Sequence, residues 1–227
     1  MIGVVIPAHN EARLIAACLG SVRCAASHPS LRGEAVTALV VLDACTDASP
    51  LIAAELGFGR LCVDARNVGV ARAAGAQALL ARGARWLAFT DADSRVAPDW
   101  LVAQLSTGAD AVCGPVSVDD WRALAPGARA TWARRYCDAD GHRHVHGANL
   151  GVAAHAYLRA GGFPPLACSE DVALVDLLIA TGATLAWSAA PRVVTSGRLD
   201  PRVRGGFGDT LAAWADGVSD SEPSVAP

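Results

Sequence analysis

Lysine does not occur in this 227-residue chain; all 19 basic residues are arginine. No Schiff-base, Walker-type or acetylatable lysine can therefore operate, and phosphate recognition falls to arginine, backbone N–H groups or a metal. Excess positive charge is lacking too. The formal net charge is −3, which argues against nucleic acid or another polyanion as partner. The seven cysteines include no Cys-x-x-Cys pair, and Cys18, Cys62 and Cys113 lie among apolar neighbours, as buried free thiols of a reducing compartment do. No apolar run is long enough to span a membrane, and the first residues lack the basic and long apolar regions of a signal peptide. The expectation is a soluble cytoplasmic protein with no integral membrane segment, peripheral membrane contact remaining open. No Gly-x-Gly-x-x-Gly follows the first apolar run, which sets aside dinucleotide-dependent oxidoreduction.

What the chain does have is alternation. Residues 2–6, 36–42, 61–63 and 86–90 read as short apolar strands. Between them lie helical patterns: Leu14, Ile15, Cys18, Leu19 and Val22 behind Asn10 as N-cap, a helix opening at Asp47-Ala48-Ser49-Pro50, and an alanine-rich helix over 70–81. This predicts an α/β fold with a mostly parallel central sheet flanked by helices. Beyond Pro98 the pattern loosens into helices over 99–105, 127–138, 154–160 and 169–181, strands over 111–118, 184–187 and 193–195, and an extended segment over 142–150. Ser169 is the expected N-cap of the 169–181 helix, with Val172, Val175, Leu178 and Ile179 as its apolar face. With no repeat and no linker, one domain over 1–218 is expected, in two functional halves (1–97 and 98–218), followed by a flexible tail over 219–227.

Ligands of such sheets bind outside the carboxyl ends of the strands. Those ends carry Pro7-Ala8-His9-Asn10-Glu11, Asp43-Ala44-Cys45-Thr46-Asp47, Arg66-Asn67 and Asp91-Ala92-Asp93. If the last segment continues its strand, period-two geometry turns both carboxylates to one side, where they suit a hard divalent cation that shares its ligands with substrate phosphates. An acidic pair at a strand end is also an ordinary turn former; the polar company it keeps at the same end favours the site.

Taken in order, these segments resemble family 2 glycosyltransferases, which have the GT-A fold. The resemblance rests on Val4-Val5-Ile6-Pro7-Ala8-His9-Asn10-Glu11, Val41-Leu42-Asp43-Ala44-Cys45-Thr46-Asp47, Arg66-Asn67-Val68-Gly69 with Ala71-Arg72, and Asp91-Ala92-Asp93. Further on it rests on Gly147-Ala148-Asn149-Leu150, Gly161-Gly162-Phe163 and Ser169-Glu170-Asp171. It covers roughly residues 1–197 and departs from the family at Leu42, where an Asp is usual, and at Ala44-Cys45, where Gly-Ser is usual.

The resemblance implies a metal-dependent glycosyltransferase of the hexosyltransferase type. One sugar would move from a nucleotide-diphosphate sugar to an acceptor hydroxyl. Asp93, with Asp91 directly or through water, would hold Mn²⁺ or Mg²⁺ against the departing diphosphate. Pro7, His9, Glu11 and Asp43 would form the nucleotide side, and Arg66 and Arg72 either support the diphosphate or form salt bridges. Asn67 is equally a helix cap or a ligand contact. His146, Asn149 and Glu170 belong to the substrate-facing blocks of the second half, and Asp171 is the candidate general base, implying inversion. The processive-synthase pattern Gln-x-x-Arg-Trp is absent, so the transfer is expected to be non-processive.

His142, His144 and His146 alternate, so on a strand they share a face, which also admits a zinc reading. Arg198, Arg202 and Arg204 around Gly205-Gly206 suit a loop closing over the diphosphate, or a solvated one. Trp121, Trp132 and Trp214 are either core or sugar-stacking residues. Two rival functions remain: a sugar-nucleotide nucleotidyltransferase, disfavoured by the missing lysine and basic first loop, and a non-catalytic nucleotide-sugar binder. The acceptor is not named by the sequence, and a homodimer is compatible with it.

Overall fold

The computed structural model describes residues 1–118, 120–121, 127–166 and 168–197. The expected arginine loop of Arg198, Arg202 and Arg204, Trp214 and the tail lie outside the described residues. In chain order the elements are β1 (Ile2–Ala8), α1 (Ile15–Ala26), β2 (Val36–Asp43), α2 (Ser49–Glu55), β3 (Gly59–Val63), α3 (Val68–Leu80), β4 (Trp86–Phe89), β5 (Arg95–Val96), α4 (Trp100–Ser106), β6 (Ala111–Cys113), β7 (Val116–Val118), α5 (Ala128–Arg135), β8 (Leu150–Ala153), α6 (Ala154–Ala160), α7 (Glu170–Ala180), β9 (Leu185–Trp187) and β10 (Val193–Thr195). Seven strands form the central sheet in the order β3-β2-β1-β4-β8-β6-β9, and β5, β10 and β7 form a small second sheet. Within the central sheet β8 alone runs antiparallel to its neighbours. The mostly parallel sheet is thus observed. No helix among the described residues is long and apolar enough to cross a membrane.

Strands β1 and β4 are buried along their whole length, on both faces, so they read as continuous apolar runs, whereas the edge strand β3 is largely exposed. Helix α3 lies on β1 and β2 and can do so because of Gly75. A Cβ there would stand 2.6 Å from Val5 Cγ1 and 2.8 Å from Val41 Cγ2.

Several expectations are corrected. Asn10 does not cap α1: the helix starts at Ile15 after a turn, its N-cap is Leu14, and Asn10 is left-handed at φ 54°. The strand expected over 111–118 is two strands in different sheets, broken at Gly114-Pro115, where proline supplies no N–H to a ladder. The extended segment over 142–150 yields only the start of β8. Ser169, at φ 59°, makes no side-chain cap to α7. That helix buries Glu170, Leu174, Val175 and Leu178, while Val172 and Ile179 face solvent. Strand β5 carries too short a pattern to be seen in the sequence.

The second half contains a ladder of rings. Trp132 stacks on Tyr136 at 3.8 Å between centroids, Tyr136 on His144 at 4.0 Å, and His144 lies 5.5 Å from His142 and 6.0 Å from His146. The alternating histidines therefore stack instead of lining one strand face. His142 and His144 each offer a lone pair to a fixed donor. His142 Nδ1 accepts the His144 N–H at 3.1 Å, and His144 Nε2 accepts the Cys137 N–H at 3.1 Å. The Tyr136 hydroxyl accepts from the Val116 N–H (2.7 Å) and shares a hydrogen bond with His146 Nε2 (2.9 Å). The lone pairs of His142 Nδ1 and His144 Nε2 so used are not offered to zinc, and among the described residues no group of three or more His, Cys, Asp or Glu is arranged to hold a metal.

Two predictions follow from this packing. Gly75→Ala destabilises by roughly 1–3 kcal/mol through overpacking, whereas Gly20→Ala in α1, where a Cβ meets nothing within 4 Å, stabilises by about 0.5–1 kcal/mol; urea unfolding measures both. Burial pushes His146 down to about 3, helped by His144 and His142, and burial lowers those two as well. The unfolded chain, with imidazoles near 6.5, binds more protons below that pH, so stability falls as pH drops from about 6.5 towards 3, by up to about 1.4 kcal/mol per pH unit for each unmatched proton. His146→Gln flattens this slope between pH 7 and 5; an unchanged slope contradicts the assignment.

Candidate functional site

The carboxyl ends of β1, β2 and β3 are laced together by side chains bonding to neighbouring loops. Asn10 Oδ1 accepts the N–H groups of Thr46 (2.8 Å) and Asp47 (3.2 Å), which its left-handed backbone permits at low cost for an Asn. His9 Nδ1 donates to the Asp43 carbonyl at 2.6 Å, fixing its proton on Nδ1. Glu11 is buried, its N–H bonded to Ser49 Oγ at 2.8 Å, and Pro7 lies in β1 opposite Val41. Asp43 Oδ1 accepts from Ala65 and Arg66, and Oδ2 from Asn67, each at 2.8 Å. That carboxylate fastens the turn before α3. Arg66 is left exposed on the rim, and Asn67 caps α3 through Val70 N at 3.0 Å. Among the described non-glycine residues with positive φ, Asn10, Ala44, Arg66 and Ser169 all stand at this face. Such backbone costs of order 1–3 kcal/mol and clusters at functional sites.

Asp91-Ala92-Asp93 does not continue β4. It is a turn, closed by Ser94 N–H on the Asp91 carbonyl at 3.0 Å. The expected alternation survives even so: Ala92 and Ser94 are buried, and Asp91 and Asp93 are half-exposed. Asp93 Oδ1 accepts from Ser94 Oγ at 3.2 Å. Negative charge is concentrated here. The Cys18 thiol, bonded to the Asp91 carbonyl, is pushed up by burial first and then by Asp93, Asp91 and Glu11. Two half-exposed carboxylates in such a field fit a hard cation that takes its remaining ligands from a diphosphate.

Across the face stands the start of α7, where negative charge is favoured by the helix N-terminus. Asp171 Oδ2 accepts the Gly147 N–H at 2.7 Å and Oδ1 its own helix's Val172 N–H at 2.9 Å. Glu170 is buried and pairs with Arg72; burial pushes its carboxyl up, and the Arg72 cation pulls against that. Arg72, only 4 % exposed, also binds Asp91 Oδ1 at 2.5 Å. The sequence left Arg72 between diphosphate contact and salt bridge, and the structure makes it a buried salt bridge.

Asn149 is likewise spent on the fold. Its amide donates to Pro115 O (2.7 Å) and Pro191 O (2.9 Å) and accepts from Trp100 Nε1 (2.9 Å), at 1 % exposure. It holds together the ends of β6, β7 and β10, a role that corrects the expected substrate contact. His146 is half-buried beside Gly147, bonded to Tyr136. Tyr136 was missed in the sequence; an isolated tyrosine in an arginine-edged helix carries no signal of its partners.

The fold is that of known glycosyltransferases of the GT-A type. It matches TarS 1–349 of S. aureus in complex with UDP-GlcNAc at TM-score 0.66 and 13% identity, over 91% of this chain and 61% of that one. It matches the mannosyltransferase PcManGT from Pyrobaculum calidifontis in complex with GDP-Man and Mn²⁺ at TM-score 0.63 and 18% identity, over 88% of this chain and 58% of that one. It also matches GalNAc-T7 with UDP, GalNAc and Mn²⁺ at TM-score 0.63 and 15% identity, over 92% of this chain and 46% of that one. The chain thus spans less than two thirds of the length of each of these three. Comparison with curated protein sequences gives no match. The model of glycosyl transferase family 2 matches residues 3–141, more than half of the chain, and the chain therefore belongs to that family.

Proposed function

We propose that this chain transfers a single sugar from a nucleotide-diphosphate sugar to an acceptor hydroxyl, with a divalent metal and with inversion at the anomeric carbon. The observation that carries the reading is the opposition of two acidic groups at one sheet end: Asp91 and Asp93 in the turn after β4, and Asp171 at the start of α7, where the adjacent Glu170 shares Arg72 with Asp91. The sugar-nucleotide complexes of TarS and PcManGT, the latter with Mn²⁺, support the donor class and the metal.

In this reading the laced loops over 9–11, 43–47 and 65–67 hold the nucleotide, with Arg66 at the rim. A divalent cation bound by Asp93, with Asp91 beside it, supplies neutralisation of charge on the leaving diphosphate. Asp171 accepts the acceptor hydroxyl proton as that oxygen bonds to the anomeric carbon. The bond from that carbon to the diphosphate oxygen breaks, and its electron pair leaves with the diphosphate. One displacement from the side opposite the leaving group inverts the centre. The two N–H groups on Asp171 hold its carboxylate in place for the transfer. The free state of all seven cysteines among the described residues supports a reducing, cytoplasmic setting.

Melting of the wild type with UDP, GDP, UDP-GlcNAc and GDP-Man, with and without Mn²⁺, tests the donor site. A nucleotide at a hundred times its Kd stabilises by about 2.7 kcal/mol, and this gain needs Mn²⁺ and disappears in Asp93→Ala. No shift with any nucleotide overturns the reading. Asp171→Asn keeps the nucleotide shift and lowers turnover about 10²- to 10⁴-fold. A product that retains the donor's anomeric configuration contradicts Asp171 as base.

A further inference from the structure

Arg72 is among the least accessible cations of the described residues, and nothing about its position suits a nucleotide contact. One terminal nitrogen binds Glu170, 98 residues away, and the other binds Asp91. Phe163 lies under the guanidinium, its centroid 5.9 Å from Cζ. Gly147 also lies against the guanidinium: a Cβ there would lie 2.3 Å from Cζ. Gly69, one turn before Arg72 on α3, leaves room for Glu170, whose Cβ would be 3.1 Å from an added methyl. Nε is buried without a hydrogen-bond partner, so the site is not arranged to make the most of the cation's own bonding.

Stability is a poor reason for such an arrangement. Burying an ion pair costs about as much in desolvation as its attraction returns, and apolar replacements of similar volume are often neutral or better. Geometry is the better reason. A planar fork holds two carboxylates at a set separation and angle, which a lysine ammonium does not do. The two it holds belong to opposite sides of the proposed reaction: Asp91 to the turn at the leaving diphosphate, Glu170 to the helix that carries Asp171. The third connection runs through Gly147, which lies against the guanidinium and gives its N–H to Asp171.

Resting on the proposed transfer reaction, we infer that Arg72 is a positioning residue that sets the separation between the diphosphate end of the site and the Asp171 base, without touching the nucleotide. Loss of the fork leaves donor binding intact and misplaces the base, and a misplacement of about 1 Å costs on the order of 10²-fold in rate.

The experiment is a split between binding and turnover in full-length wild type, Arg72→Lys, Arg72→Gln and Glu170→Gln. Binding is the Kd of UDP or GDP with Mn²⁺, whichever shifts the melting curve. Turnover is the release of nucleotide diphosphate to water from UDP-GlcNAc or GDP-Man. The expected result is a kcat about 10²-fold lower in all three variants, Arg72→Lys included, with Kd within about threefold of wild type. A Kd raised tenfold or more with kcat retained makes Arg72 a nucleotide ligand and overturns the inference. So does unchanged kcat in variants that melt lower, which leaves a purely structural ion pair. Where the Arg72 variants do not fold, Glu170→Gln, nearly isosteric with the native side chain, gives the same reading. If the wild type neither binds nor hydrolyses any donor, the proposed function has failed, and the bridge is judged by itself. Urea midpoints of Arg72→Gln, Asp91→Asn and Glu170→Gln, singly and in pairs with Arg72→Gln, then show losses smaller in the pairs than the sum of the singles; additive losses overturn it.

Discussion

A guanidinium almost cut off from water has to be neutralised where it stands, and the site is organised around how this is done. Arg72 draws on Asp91 and Glu170, with Asp171 adding to the field that keeps it charged against the effect of burial. Four stretches far apart in the chain are thereby brought to one point: the start of α3, the turn after β4, the Gly147 loop and the start of α7. Glycine makes this possible at two points: a side chain at Gly147 would collide with the guanidinium, and one at Gly69 would crowd Glu170. The orientation of α7 is part of the same solution. With Glu170 turned inward to the guanidinium, residues at intervals of four follow it, so Leu174 and Leu178 are buried and Val172 and Ile179 are not.

The two sides of the site are held by different means. At the ends of β1, β2 and β3 the means are side-chain bonds to backbone N–H groups, three on Asp43 and two on Asn10, together with backbone held in the left-handed region. Short, strained and many times tied, these loops have little room to move. On the other side the ladder Trp132–Tyr136–His144 and its flanking imidazoles make a layer of ring contacts, with His142 and His144 each accepting a backbone N–H. The amide of Asn149 joins this layer to the sheet by spanning the break at Gly114-Pro115, where a Cβ on Gly114 would be 2.2 Å from the amide nitrogen.

Much of this was legible before the structure. Strands β1 and β4 are continuous apolar runs because they are buried on both faces, and such runs announce themselves in sequence. Asn67 as a cap of α3 follows from local chemistry and is observed. The polar segments gathered at the strand ends, the Asp91-Ala92-Asp93 segment among them, do lie at one end of the sheet. Less legible were features that depend on partners distant in sequence. Asn10 reads as a helix cap locally, yet its oxygen serves a loop more than thirty residues away. Asn149 reads as a ligand contact, and three distant groups claim it instead. The two-residue β5 exists only because β10 pairs with it.

By itself the sequence determined the α/β architecture, the family, and which carboxylates gather at the strand ends, because periodicity, caps and motif order are local properties that survive any packing. The tertiary structure alone decided which of those groups are spent on one another. Whether Arg72 faces a phosphate or two carboxylates, whether three histidines make a metal site or a stack, and which face of α7 is buried are all settled by competition among distant partners for the same lone pairs and the same space. That competition has no outcome until the chain is folded.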